Sequence, residues 1–298
     1  MIRIARPFIS EAALTATLTL PAPAKLNLML HIVGRRDDGY HRLQTLFQLL
    51  DFGDELTLTP RHDTEVRVSP SIPDVANEDN LITRAARALQ DATGHTGGAD
   101  IQLTKRLPMG GGIGGGSSDC ATALVGLNHL WQLGLDEDAL AEIGLTLGAD
   151  VPVFVRGRSA WAEGIGEELT PVELPEHWFV VIHPGVHVST PALFRHPQLT
   201  RNTPVSTIRT ALTGAGHNDF EPVARTLYPN IDHAIEQLSQ YGSVRLSGSG
   251  ACVFVQTQSD MAAQTILRTI TERNPGYSGF IGRGVNQSPL QRALADQA

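Results

Sequence analysis

The apolar positions change period along the chain, and the changes predict its elements. Alternation through Leu14, Ala16, Leu18 and Leu20, a run from Leu26 to Ile32 and another from Glu55 to Thr59 read as strands, joined by turn-rich stretches such as Arg35-Arg36-Asp37-Asp38-Gly39. Asn80 opens a helical pattern with Leu81, Ile82, Ala85, Ala88 and Leu89 on one face, and residues 99–104 return to strand. Cys120, Ala123, Leu124, Leu127 and Leu130 keep helical spacing. A further helix is predicted from about Glu137 to Leu147, stopped by Gly148 with Pro152 beyond. Val151 to Val155 and Ser159 to Ala162 read as strands. Thr170 to Pro175 is loop-like, and a domain boundary is expected there, between residues 1–170 and 171–298. The second half predicts a strand at Trp178 to Ile182, helices near Pro222 to Leu227 and Ile231 to Tyr241, strands at Val244 to Leu246 and Ala251 to Gln256, and a helix over Asp260 to Glu272. Strands and helices mix without regular βαβ alternation, which favours an α+β architecture over a doubly wound sheet.

Composition narrows the function. At 298 residues the chain is about two domains long, taking ~150 residues per domain. Lys and Arg total 23 against 31 Asp and Glu, a net charge of −8 that argues against a dominant grip on nucleic acid or an anionic membrane. Any anion it binds must meet locally arranged groups. The two cysteines, Cys120 and Cys252, lie in different halves and support neither a disulfide framework nor a paired-Cys zinc site. Apolar runs such as Trp178 to Ile182 fall far short of the ~20 residues that span hydrocarbon, so a cytoplasmic location is expected. Arg3 and Arg6, followed by a mildly apolar stretch ending in Ala22-Pro23-Ala24, imitate a secretory leader. Glu11 and the threonines 15, 17 and 19 interrupt that stretch, and its alternation suits a strand better.

The chemical clue is Pro108-Met109-Gly110-Gly111-Gly112-Ile113-Gly114-Gly115-Gly116-Ser117-Ser118-Asp119, which leads into the helix of Cys120. Glycines allow close backbone approach, so successive N–H groups can turn toward phosphate oxygens, and a helix N-terminus adds free donors and the positive end of a dipole. Ser117 and Ser118 can cap the helix or reach a metal. The block lacks Gly-Lys-[Ser/Thr] and is no Walker A loop. Its match to Gly-x-Gly-x-x-Gly at Gly110, Gly112 and Gly115 is what any glycine-rich run would give. Asp51-Phe52-Gly53 spells a protein-kinase triplet, but no His-Arg-Asp loop accompanies it.

Three segments in this order, Pro23-Ala24-Lys25-Leu26-Asn27-Leu28, the glycine block and Leu246-Ser247-Gly248-Ser249-Gly250-Ala251, resemble the three motifs of the GHMP kinase superfamily. Gly39-Tyr40-His41 with Leu43-Gln44-Thr45-Leu46, and Leu147-Gly148-Ala149-Asp150-Val151-Pro152-Val153-Phe154, resemble the branch that acts on a diphosphocytidyl alcohol. The similarity runs from about residue 20 to Pro289. It implies a two-domain GHMP kinase fold, with an N-terminal ribosomal-protein-S5-like domain carrying the glycine loop, a C-terminal ferredoxin-like domain and a cleft between them. It implies transfer of the γ-phosphoryl group of ATP, with Mg²⁺, to the 2-hydroxyl of 4-diphosphocytidyl-methylerythritol in non-mevalonate isoprenoid synthesis, by a monomer or homodimer.

The resemblance also assigns roles. Asp150 is expected to accept the hydroxyl proton; the lesser alternative, on spacing alone, is a turn residue after a helix C-terminus. Lys25 would place a cation beside Asp150 and the moving phosphoryl group, although a lone Lys at a strand start is more often a solvated surface group. Ser117 or Ser118 could hold the metal. Asn80 and Lys105 match positions near the nucleoside of ATP, but alone could be a helix cap and a surface charge. For the acceptor, Tyr40 and Phe194 are expected on the two faces of the cytosine ring and His41 at its edge, with Asn27 and Thr190 nearby. Two departures stand out. Some fifteen residues precede the start usual in this superfamily branch, and Asp119 replaces an expected Asn. A negative charge facing phosphate would oppose it, so Asp119 is expected to cap the helix. Rival readings are another GHMP small-molecule kinase, a non-catalytic nucleotide sensor and an NAD-dependent oxidoreductase.

Overall fold

The computed structural model describes residues 17–71 and 75–296. The first residues of the expected Leu14–Leu20 strand and the arginines at 3 and 6 lie outside the described residues. From Leu18 the chain runs as one long strand, β1 (Leu18–Arg35), then turns back as β2 (His41–Arg61). The separate short strands expected there are parts of this pair. Pro21 and Pro23 do not break β1 because β2 is its one strand partner among the described residues, which leaves its other edge free at these positions, and the ladder shifts register between Pro23 and Lys25.

After β3 (Val66–Ser69) come α1 (Leu81–Thr93), β4 (Gly98–Thr104), α2 (Gly115–Leu130) and α3 (Glu137–Leu147). The segment expected as a strand at Val151–Val155 is instead a helix, α4 (Val151–Arg156). Its five apolar residues are all buried, so it lacks the polar face that would betray helical period, and Pro152 in its first turn favours helix start over ladder. Then follow β5 (Ala160–Glu163), β6 (Glu168–Pro171) and β7 (Trp178–His183); β6 occupies part of the stretch read as loop. The remainder is α5 (Thr190–Arg195), α6 (Ile208–Leu212), α7 (Glu221–Leu227), α8 (Pro229–Ser239), β8 (Val244–Leu246), β9 (Val253–Thr257), α9 (Asp260–Arg273), β10 (Ser278–Val285) and α10 (Pro289–Ala295).

The sheet order is β3-β4-β2-β10-β7-β9-β8, with β1 and β5 also on β2 and β6 on β5. Among the described residues β3–β4 is the one pair of strands that runs parallel. The arrangement is the α+β architecture expected. One core lies under α1, α2 and α4 against β1, β2 and β4, and another between β7–β9 and helices α7 to α9. A third joins Ala24 and Leu26 of β1 and Ile113 of the glycine block to Phe179, Cys252 and Phe280. That shared core seats the second half against the glycine block, and it fixes the cleft between them by burial of apolar surface.

Candidate active site

Residues 107–114 cross from β4 to α2 along the floor of this cleft. Every carbonyl from Gly110 to Ile113 is taken by protein: Gly110 O accepts from Ala251 N at 3.2 Å, Gly111 O from Cys252 N at 3.0 Å, Gly112 O from Ser247 Oγ at 3.0 Å, and Ile113 O from Lys25 N at 3.0 Å. With the carbonyls turned into the protein, the N–H groups of residues 110–116 make no hydrogen bond to protein among the described residues. Gly112 and Gly114 carry φ of +70° and +75°, and a Cβ on Gly112 would come within 2.2 Å of Ser247 O. Here glycine is required both by conformation and by space. Gly114 stands at the N-cap of α2, so the helix begins inside the glycine block, with its last pair of glycines, Gly115 and Gly116, as the first two helical residues.

These groups face a cavity of about 410 Å³ lined by Pro108, Met109, the glycines, Ser117, Asn80 and Lys105. Free amides and a helix N-terminus make it suited to a polyphosphate, and of the two carboxylates on its wall, Asp79 and Asp119, the second is paired with Lys105. Asn80 caps α1, its Oδ1 accepting from Ile82 N at 2.9 Å. Lys105 is no surface charge: its Nζ bonds Asp54 Oδ2 at 2.6 Å and Asp119 Oδ2 at 2.7 Å. Burial pulls its pKa down, but Asp119 and Asp54 more than compensate, leaving it above the ordinary value. Asp119 therefore does not cap α2 as expected. It sits in the second turn, buried, because Lys105 supplies the counter-charge that the helix terminus was expected to give. Burial raises its pKa to about 7, against the pull of Lys105. Asp54 escaped the sequence reading, yet its Oδ1 accepts from Arg106 N at 2.6 Å and Leu107 N at 2.8 Å and so anchors the entry to the loop.

Across the loop, Lys25 is buried, and its Nζ reaches Asn27 Oδ1 at 2.6 Å, Gly112 O at 3.2 Å and Asp150 Oδ2 at 3.2 Å. The solvated-surface alternative for Lys25 fails on its burial. Asp150 stands at the start of α4 with its side chain 35% exposed, open to a ligand in the cleft, and makes no capping bond. Asn27 is held in turn by Thr45 Oγ1 at 2.8 Å through its Nδ2 and by Ser247 Oγ at 3.2 Å through its backbone N. Ser247 thus ties β1, the glycine loop and the β8–β9 turn together. Its place in Leu246-Ser247-Gly248-Ser249 was visible, its linking role was not. Ser118 is buried with its Oγ lacking any hydrogen-bond partner, whereas Ser117 is half-buried.

At the cleft's other end the His41 ring stacks on Phe194, centroids 4.6 Å apart and planes 16° from parallel, and Phe220 meets Phe194 edge-on. Burial, with Arg201 and Arg35 adding to it, lowers the His41 pKa, and its Nε2 has no partner. Tyr40 projects from the β1–β2 turn, 63% exposed. The structure brings His41 and Phe194 together, and Thr190 to Ser249 at 2.6 Å, but does not set Tyr40 against Phe194.

Among known proteins, the family described as GHMP kinases N terminal domain matches residues 80–158, and GHMP kinases C terminal matches residues 198–276. The chain is 56% identical over 283 residues to a 4-diphosphocytidyl-2-C-methyl-D-erythritol kinase of Chromohalobacter salexigens, covering 93% of this chain and 94% of that one. It is 57% identical over 279 residues to the protein of that name from Ectopseudomonas mendocina, covering 94% and 95%. A crystal structure of 4-(cytidine 5'-diphospho)-2C-methyl-D-erythritol kinase superposes with a TM-score of 0.79 at 33% identity, over 90% of this chain and all of that one. Identity of this order along nearly the whole length, with both kinase domains in place, makes the chain a small-molecule kinase belonging to the GHMP kinases and, within them, to the 4-diphosphocytidyl-2-C-methyl-D-erythritol kinase family.

Proposed function

We propose that the chain transfers the γ-phosphoryl group of ATP to the 2-hydroxyl of 4-diphosphocytidyl-2-C-methyl-D-erythritol, the alcohol in its relatives' name. The observation that carries this reading is the Lys25–Asp150 pair at 3.2 Å, placed beside a glycine loop whose amides are free. The amides of residues 110–116 hold the phosphates, with Pro108, Met109, Asn80 and Lys105 lining the nucleotide's side of the cavity. Asp150 accepts the hydroxyl proton as the oxygen–phosphorus bond forms. Lys25, fixed by Asn27 and Gly112, offsets the charge that develops on the transferring group.

Magnesium fits the donors present. Ser117, which lines the phosphate cavity, would offer an oxygen ligand and the buried, unpartnered Ser118 Oγ behind it a second, and among the described residues no cluster of three or more His, Cys, Asp or Glu could hold a metal. Bound there with ATP, the ion would neutralise phosphate charge. For the acceptor, Phe194 and Tyr40 take the faces of the cytosine ring. His41, neutral and with a spare ring nitrogen, reads its edge, and Thr190 and Asn27 lie further along. Residues 1–170 then act as the nucleotide half and 171–298 as the second half, except that β10 and α10 return to the first core through Val285 and Leu290.

An ADP-release assay tests the reading. Asp150→Asn is expected to lower kcat by about 10²–10⁴ with ATP binding kept, as for loss of a general base. The intact chain should turn over the diphosphocytidyl alcohol and ignore its cytidine-free analogue. Equal turnover of both would reject the acceptor assignment, and an active Asp150→Asn protein would reject the base.

A further inference from the structure

A second cavity, of about 520 Å³, opens between β1–β2 and β7–β9, with no lining residue in common with the phosphate cavity. Leu28 and Met29 line it immediately after Asn27, and Phe179 and Phe254 face it from the second half. The residues around it include an arginine and a histidine, Arg245 and His177, and not one Asp or Glu, in a chain that carries 31 acidic residues. The local charge therefore runs against that of the molecule. Arg245 bonds two backbone carbonyls, Leu28 O through Nη1 and Gly214 O through Nη2, the latter at 2.8 Å. A guanidinium has five N–H donors, so others remain for a ligand. Burial lowers its pKa, only partly offset by Glu221, as for a cation taken from water without a full counter-charge. Apolar walls with one fixed charge are the usual make-up of a small-molecule site.

We propose that this cavity is a second ligand site, taking a small organic anion with an apolar body whose carboxylate or phosphate lies on the Arg245 guanidinium. The site is independent of the phosphoryl-transfer reading, since none of the groups assigned to that reaction lines it. Its occupant sits against Leu28, one residue from Asn27, where the β1–β2 ladder shifts register. Gln48 on the same wall is fixed from behind, its Nε2 donating to Ser159 Oγ at 3.1 Å and Val285 O at 2.9 Å.

The four methionines make the test local: Met29 lines this cavity, Met109 the phosphate cavity, Met261 is 79% exposed, and Met1 is at the chain start. The full chain, labelled with ¹³C at the methionine methyls, is titrated by NMR with hexanoate, hexyl phosphate, hexylammonium and inorganic phosphate. Saturable movement of the Met29 signal with hexanoate or hexyl phosphate, absent with hexylammonium, is expected, and the two anions tell carboxylate from phosphate preference. Arg245→Gln should weaken that binding about tenfold or more, the scale of a charge-assisted hydrogen bond. Gln256→Glu changes the wall's charge without touching the bonds of Arg245, and it should weaken the anions likewise if Arg245→Gln fails to fold. Movement of Met29 with hexylammonium equal to that with the anions, movement at Met109 alone, or affinity unchanged in the folded variants would overturn the proposal.

Discussion

Lys25 donates hydrogen bonds to Asn27 and Gly112 and pairs its charge with Asp150, so a buried charge is both satisfied and aimed. The residue types of this site were legible in the sequence: a lysine, an aspartate, paired serines after glycines. Their partners were not, because Lys25 and Asp150 lie far apart in the chain and meet only through packing. Asp119 shows the same limit. As a lone acid after the loop it looked like a helix cap, but Lys105, on the neighbouring strand's exit, supplies a counter-charge that no local pattern announces. Two predictions belong at this scale. Tyr40→Ala and Phe194→Ala should each raise the KM for the acceptor by about 5–150-fold, the worth of ~1–3 kcal/mol of base stacking, with the KM for ATP unchanged in steady-state assays. Asp119, at about 7 when folded, holds a proton that the unfolded chain has released above its ordinary 3.8. Its contribution to stability is present below that ordinary value and is lost as pH rises through 7. Wild type should therefore lose stability relative to Asp119→Asn between about pH 4 and 7 and level off above that, by at most about 1.4 kcal/mol per pH unit, read by urea unfolding at each pH.

Among the elements, α1, β4, α3 and α9 stood where periodicity and caps predicted them, since each has one buried face and a clear stop. α4 and β10 did not. α4 is buried on all sides and so carries no period, and β10 holds three glycines in eight residues, too few side chains to show alternation. The glycine block was recognised for its composition, but which glycines are indispensable depends on what surrounds them. Gly112 has positive φ and Ser247 O at 2.2 Å from a would-be Cβ, whereas at Gly116, inside α2, the nearest atom would be 3.7 Å away. Gly112→Ala should lower the unfolding midpoint markedly and abolish ATP binding. Gly116→Ala should leave stability equal or raise it by about 0.5–1 kcal/mol through helix propensity. Thermal unfolding of the two variants without nucleotide separates them.

Over the whole molecule, the cleft depends on contacts between segments far apart in sequence. Ser247 Oγ accepts from Asn27 N and donates to Gly112 O, joining three motifs that occupy different thirds of the chain. Ser247→Ala strands both buried groups, so it should cost about 1–3 kcal/mol in stability and weaken ATP binding as the loop loosens. Denaturant unfolding and nucleotide titration measure the two effects, and an unchanged protein would show that the shared apolar core alone holds the cleft. The order of the three motifs, the amphipathic elements, the exclusion of a basic binding surface and the glycine block's suitability for phosphate all follow from the sequence by itself, because each rests on residue type or on short-range spacing. Only the tertiary structure decided that Lys25 faces Asp150, that Asp119 pairs with Lys105, that Val151–Arg156 coils rather than extends, and that an arginine stands over a second cavity. Those outcomes depend on burial and on neighbours brought together by long-range packing, and no local pattern records either.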